Sequence, residues 1–109
     1  MSKVKTGAVL IGDETVRVYR RDMGDADMAL RIEAGTNATL RESEDGGRTY
    51  LMLKSVAGDG SHFLPIRNAD GRITGFGIVL DGYEELEALR RALRFAETIL
   101  NYQRLELED

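Results

Sequence analysis

The amino-acid sequence predicts an α+β fold, an antiparallel β-meander of about five to seven strands in a curved sheet followed by one long C-terminal α-helix. Three observations carry this expectation. Through residue 80, short stretches alternate apolar and polar side chains at every second position. Clusters of Gly, Asp and Asn separate those stretches at short intervals. From Asp81 onward the apolar residues recur in steps of three and four instead.

Seven candidate strands lie at 7–12, 15–21, 28–34, 37–42, 48–54, 61–67 and 72–80. The turns between them are Gly12-Asp13-Glu14, Asp22 to Asp25, Asp45-Gly46-Gly47, Gly58-Asp59-Gly60 and Asn68-Ala69-Asp70-Gly71. Each contains residues that accept positive φ or hydrogen-bond locally. Val16 and Val18 oppose Arg17, Tyr19 and Arg21. Met28, Leu30 and Ile32 oppose Ala29, Arg31 and Glu33. Leu51 and Leu53 oppose Arg48, Tyr50, Met52 and Lys54. Alternation with short connections means hairpins with one wet face rather than parallel strands buried on both. Pro65 assigns 61–67 to a sheet edge or a bulge.

The helix is predicted over 82–104, with Asp81 as its cap, Glu84 as the reciprocating carboxylate and an acidic tail at 105–109. Two apolar stripes run along it. Leu86, Leu89, Leu93, Ala96 and Leu100 form one; Ala88, Ala92, Phe95, Ile99 and Tyr102 form the other. Together they cover an arc of roughly 200°, wider than one sheet needs. The second stripe therefore asks for another partner. The same helix of a two-fold-related copy, with Ala88, Ala92, Phe95, Ile99 and Tyr102 as the dimer interface, is one solution. A helix wedged between the sheet and its own N-terminal strands is the other.

Composition narrows the chemistry. With 109 residues the chain fits a single domain, residues 1–109. The absence of cysteine excludes disulfides, thiolate nucleophiles, Cys-based zinc sites and iron–sulfur clusters. A single histidine, His62, lacks both a second imidazole for a metal and an identifiable orienting carboxylate; beside Ser61 on a strand it would point to the opposite face. Gly75-Phe76-Gly77 and Gly58-Asp59-Gly60 lack the third glycine of a dinucleotide loop, and Asn68-Ala69-Asp70-Gly71 lacks the flanking carboxylates of a calcium loop. The expectation is a non-enzymatic protein with no cofactor and no metal. The apolar run Ala8-Val9-Leu10-Ile11 is too short for a signal-peptide core or a membrane span, so a cytoplasmic location with no membrane partner is expected.

Charge is unevenly placed. Residues 1–80 are neutral overall, and the net charge of −4 belongs to residues 81–109. Arginine outnumbers lysine 12 to 3, favouring planar, bidentate or stacking contacts. If the aliphatic side of the sheet packs on the helix, the opposite side displays Arg17, Tyr19, Arg21, Arg31, Arg48, Tyr50 and Lys54, joined by Arg67. Cations interleaved with rings suit single-stranded DNA or RNA, because rings stack on bases and guanidinium groups hold phosphates. The plain alternative is a solvated face of cross-strand Arg–Glu pairs, with Glu33 and Glu42 as neutralising partners.

Residues 48–100 resemble the positive-cofactor-four coactivator family and the related Pur-type domains. The resemblance lies in the Tyr-bearing stretch Thr49 to Lys54, the hairpin after it, and Gly71-Arg72-Ile73-Thr74-Gly75-Phe76-Gly77-Ile78-Val79-Leu80 leading into a polar cap and a long helix. The family's segment is Gly-Arg-x-Gly-Ile-x-Leu, and three residues are inserted here. The resemblance implies a β-meander with a C-terminal helix, dimerisation largely through helices, and binding of single strands on the curved sheet by Arg48, Tyr50, Lys54, Arg67 and Arg72, with Arg17 and Tyr19 from upstream. A second hypothesis is a protein-interaction module, such as an inhibitor, immunity or mobile-element protein. Its acidic helix, with Glu84, Glu85, Glu87 and the tail, would engage a basic protein.

Overall fold

The computed structural model describes residues 3–24, 29–38, 47–56 and 63–108. Six strands and one helix follow in the order β1 (Lys5–Ile11), β2 (Glu14–Gly24), β3 (Ala29–Thr36), β4 (Thr49–Ser55), β5 (Phe63–Arg67), β6 (Ile73–Ile78) and α1 (Gly82–Glu108). The first four form an antiparallel meander in chain order, and β5 and β6 form a separate two-stranded antiparallel sheet. The α+β expectation holds, with two sheets in place of one. Of the strand expected at 37–42, residues 37 and 38 are not extended in a ladder and the remainder lies outside the described residues, as do residues 61 and 62.

Turn chemistry sets the registers. Gly12, with φ 64°, takes the first central position of the two-residue β1–β2 turn, where an L side chain is strained. At the β5–β6 turn, Asn68 Oδ1 accepts hydrogen bonds from the backbone N–H groups of Asp70 (2.9 Å) and Arg72 (3.1 Å). These are the local side-chain bonds for which Asn is favoured in turns.

The core lies between β3 and α1. Leu30, Ile32 and Ala34 alternate along β3 and meet Ala88, Ala92 and Ala96 of the helix, with Met23 of β2 joining them. Small helix residues let the helix axis approach the sheet closely. Leu53, Leu89, Phe95 and Leu100 close the margins. This packing corrects the expected dimer interface: Ala88 and Ala92 are 0% exposed within one chain. Phe95 packs against the same core and Ile99 is half-buried, while Tyr102 stays largely exposed. The stripe assigned to a second copy is the helix's own packing face. The helix also continues past 104 through most of the expected tail. At its start the carboxylate that reaches back is Glu85, accepting from Asp81 N–H at 2.9 Å, rather than Glu84. No helix among the described residues is long and apolar enough to cross a membrane.

The β5–β6 hairpin behaves differently. It joins the core only at its base, through Phe63 and Leu80, and makes no extensive contact with the four-stranded sheet or the helix. Ile73 and Phe76 are each 61% exposed. A radius of gyration of 15.5 Å, against about 13 Å for a compact chain of this length, reflects the projection.

Candidate nucleic-acid interface

The alternation read from each strand is correct; what differs is how the strands are phased against one another. Tyr19, Arg21 and Met23 of β2 stand opposite Ala34, Ile32 and Leu30 of β3. Directly opposed residues share a face, so Tyr19 and Arg21 belong to the helix side. A one-residue change of register moves every side chain across a sheet, and the β2–β3 pairing fixes this one. Val16 and Val18, expected beneath the helix, lie on the other side and are fully buried there.

The nine cation and ring positions therefore separate into three groups. Arg31, Arg48, Tyr50 and Lys54 share the side away from the helix. Arg17, Tyr19 and Arg21 are on the helix side. Arg67 sits in β5 and Arg72 just before β6, apart from the four-stranded sheet. Arg67 donates to the Gly71 carbonyl at 2.9 Å and so closes its own turn.

On the side away from the helix the ladders define rows. Lys5, Arg20, Glu33 and Met52 form one row across β1 to β4, and Asp22, Arg31 and Lys54 form the next. Successive rows on one face are about 7 Å apart. Arg31 grips Asp22 with both ends of its fork, Nε to Oδ1 at 2.8 Å and an Nη to Oδ2 at 3.2 Å. That hydrogen bonding, with the charges of Arg31, Arg20 and Lys5, holds the Asp22 carboxyl below the usual range. A cleft of about 230 Å³ opens beside it, lined by Lys3, Lys5, Arg20, Arg21, Asp22 and Arg31. Arg21 borders this cleft from the helix side of its strand; Lys3, Lys5, Arg20 and Arg31 against one carboxylate leave a local excess of positive charge on an acidic chain. Lys3, Lys5 and Arg20 were not among the expected residues. Met23 carried the signal for Arg20: extending β2 two residues beyond Arg21 puts this apolar side chain in phase with Arg21, which assigns Arg20 to the opposite side.

The next row toward the other end holds Gly7, Val18, Gly35 and Tyr50. Gly35 is required there, since a Cβ on it would lie 2.1 Å from the Arg17 carbonyl oxygen and 2.8 Å from Val18 Cγ1. Beyond it, Arg48 pairs with Glu14 at 3.5 Å, an ion pair that spans the end of β3.

On the helix side at that end, the β2–β3 ladder stops at Tyr19–Ala34, and the Gln103 side chain takes over. Its Oε1 accepts the Thr36 N–H (2.8 Å) and its Nε2 donates to the Arg17 carbonyl (2.9 Å). Continuing the register would oppose Arg17 to Thr36, so the amide stands in for a missing peptide pair. Around it, hydrogen bonding to Tyr19 and the charge of Glu106 raise the Arg17 guanidinium above its ordinary pKa. Arg17 lies 3.8 Å from Glu106. Hydrogen bonding to Glu106 and its charge likewise raise the Tyr102 phenol. Arg17 and Tyr19 thus stand beside Glu106 and Tyr102 at the solvent-exposed end of the helix side.

Comparison with protein-family models, with curated proteins and with solved structures finds no match to this chain.

Proposed function

We propose that the chain is a non-enzymatic binding protein that holds single-stranded DNA or RNA on the side of the four-stranded sheet away from the helix. The observation behind this reading is the charge of that side. On a chain of net charge −4, two neighbouring ladder rows gather Lys5, Arg20, Arg31 and Lys54 around the carboxylates of Asp22 and Glu33. Tyr50, in the row beyond, supplies a ring for stacking, worth about 1–3 kcal/mol per base. The resemblance of residues 48–100 to the positive-cofactor-four family supports a strand-binding sheet; of the residues it implies, Arg48, Tyr50 and Lys54 lie on this side, while Arg17 and Tyr19 lie on the helix side and Arg67 and Arg72 on the separate hairpin, and we add Lys5, Arg20 and Arg31. Fluorescence anisotropy of a labelled oligonucleotide tests it. Binding that falls steeply with salt, and weakens in an Arg20→Gln, Lys54→Gln variant, is expected. No complex at low salt and micromolar protein rejects it.

The β5–β6 hairpin favours a second reading, self-association as a protein-interaction module. Leu64, Ile66, Ile73 and Phe76 are exposed on an element that no other described strand or helix covers. An isolated two-stranded hairpin is marginal in water, so a second copy seated on it would bury what one chain leaves open. A Phe76→Asp variant that turns a dimer into a monomer in sedimentation equilibrium supports this; a monomeric parent protein rejects it.

A further inference from the structure

We propose that a second cleft, on the helix side of the sheet, is a binding site for a phosphate monoester, separate from the strand-binding face except that Arg21 borders both clefts. Arg21, Met23, Arg91, Arg94, Phe95 and Thr98 line a space of about 320 Å³ between β2 and the middle of α1. Three arginines from two elements line it.

No lining residue among the described residues is a carboxylate. Two neighbouring acids among the described residues are engaged elsewhere, and Glu97, three residues after Arg94, makes no ion pair. Glu87, one turn before Arg91, is bound by Arg90. Asp22, next to Arg21 in sequence, is held on the opposite side of the sheet by Arg31. Among the described residues, Arg21, Arg91 and Arg94 make no ion pair. The Nε of Arg21 is sealed from solvent with no hydrogen-bond partner. A guanidinium drawn into a partly desolvated position normally brings a counter-charge with it, because burying an unpaired charge is unfavourable. Two further arginines at the same cleft add repulsion, which a bound anion removes.

The lining also specifies the anion. A phosphate monoester carries about −1.5 to −2 charges near neutral pH and presents three acceptor oxygens, which matches several planar donors. Met23 and Phe95 form an apolar margin for the organic part of the ester. The Thr98 hydroxyl, one helical turn beyond Arg94, adds a neutral donor. Inorganic anions would use the guanidinium groups alone and gain nothing from Phe95.

The test follows the arginine Nε–H signals of the full chain by NMR during titration with phenyl phosphate, with inorganic phosphate and chloride at matched ionic strength as comparisons. Saturable shifts of Arg21, Arg91 and Arg94 are expected, with phenyl phosphate binding more tightly than inorganic phosphate. Arg91→Gln and Arg94→Gln remove exposed side chains, and each is expected to weaken binding about tenfold, the scale of one charge-assisted contact. The Arg21 signal remains as the reporter in both variants. Shifts that stay linear and match those of chloride overturn the proposal, as do saturable shifts that the Arg91→Gln, Arg94→Gln double variant leaves unchanged. The Arg20→Gln, Lys54→Gln variant separates this site from the strand-binding face: it should bind phenyl phosphate like the parent protein, whether or not the oligonucleotide reading survives.

Discussion

The two ends of β2 carry similar residues and put them to different uses. At one end Arg17 and Tyr19 meet the last turns of the helix, which bring Glu106, Tyr102 and Gln103. There Arg17 lies 3.8 Å from Glu106, and Gln103 bonds the Thr36 N–H and the Arg17 carbonyl. At the other end Arg20 and Arg21 meet Lys5 and Arg31 on one side of the sheet and Arg91 and Arg94 on the other, with Asp22 as the acid between them. An arginine on a strand is therefore structural or available according to what the crossing helix delivers to it. A count of cations per strand says little until the helix is placed.

The strongest way to break the comparison is to open the closed end. Gln103 is 5% exposed and satisfies two backbone groups at once. Gln103→Leu leaves the Thr36 N–H and the Arg17 carbonyl unpaired, and a loss of about 2–5 kcal/mol of unfolding free energy is expected by urea denaturation. Gly35→Ala at the same end is expected to cost about 1–3 kcal/mol in the same measurement. Its methyl would collide with backbone rather than with a flexible side chain tip. Neither change should alter the salt dependence of oligonucleotide binding in protein that remains folded.

At the open end the expected effects on stability are smaller, and those on binding run the other way. Asp22→Asn breaks the fork to Arg31 and should destabilise by about 1 kcal/mol, since the pair is a third exposed. It should also strengthen oligonucleotide binding, because the one carboxylate lining the first cleft among the described residues is gone. Because the folded carboxyl is held below its unfolded value of about 3.9, the Asp22 contribution is fully present above that pH and is lost as pH falls through the lowered folded value. Acid unfolding of the Asn variant should therefore lack this component. Glu33→Gln removes the acid paired across the ladder with Arg20 and is expected to tighten binding several-fold with little change in stability. Smallest of all, Glu106→Gln should leave the melting temperature unchanged while the Tyr102 phenol ionises at lower pH in an ultraviolet titration.

Much of this architecture was legible in the residues. The alternation within β2, β3 and β4 is correct side by side, the Asn68–Gly71 turn forms as its composition demands, and α1 begins at Gly82. What periodicity within one strand does not report is the phase between strands. That depends on the β2–β3 connection and on Met23, which aligns with Leu30 and carries Tyr19 and Arg21 to the helix side. The helix stripe was misassigned for a related reason. The apolar arc alone does not say which of its two stripes meets the sheet, and the small side chains of Ala88 and Ala92 let the helix lie close over Ile32 and Ala34. Gln103 had no sequence signal, because its role exists only where a ladder ends beneath it.

The most direct measurement is the dependence of oligonucleotide affinity on salt concentration for two double variants, Arg20→Gln with Lys54→Gln and Arg17→Gln with Arg67→Gln. For single strands each phosphate contact contributes about −0.7 to the logarithmic slope. The first variant should flatten the slope by about 1.4, for two lost contacts, and the second should match the parent protein. Equal losses in both variants, or a loss confined to the second, would contradict the assignment of the binding side.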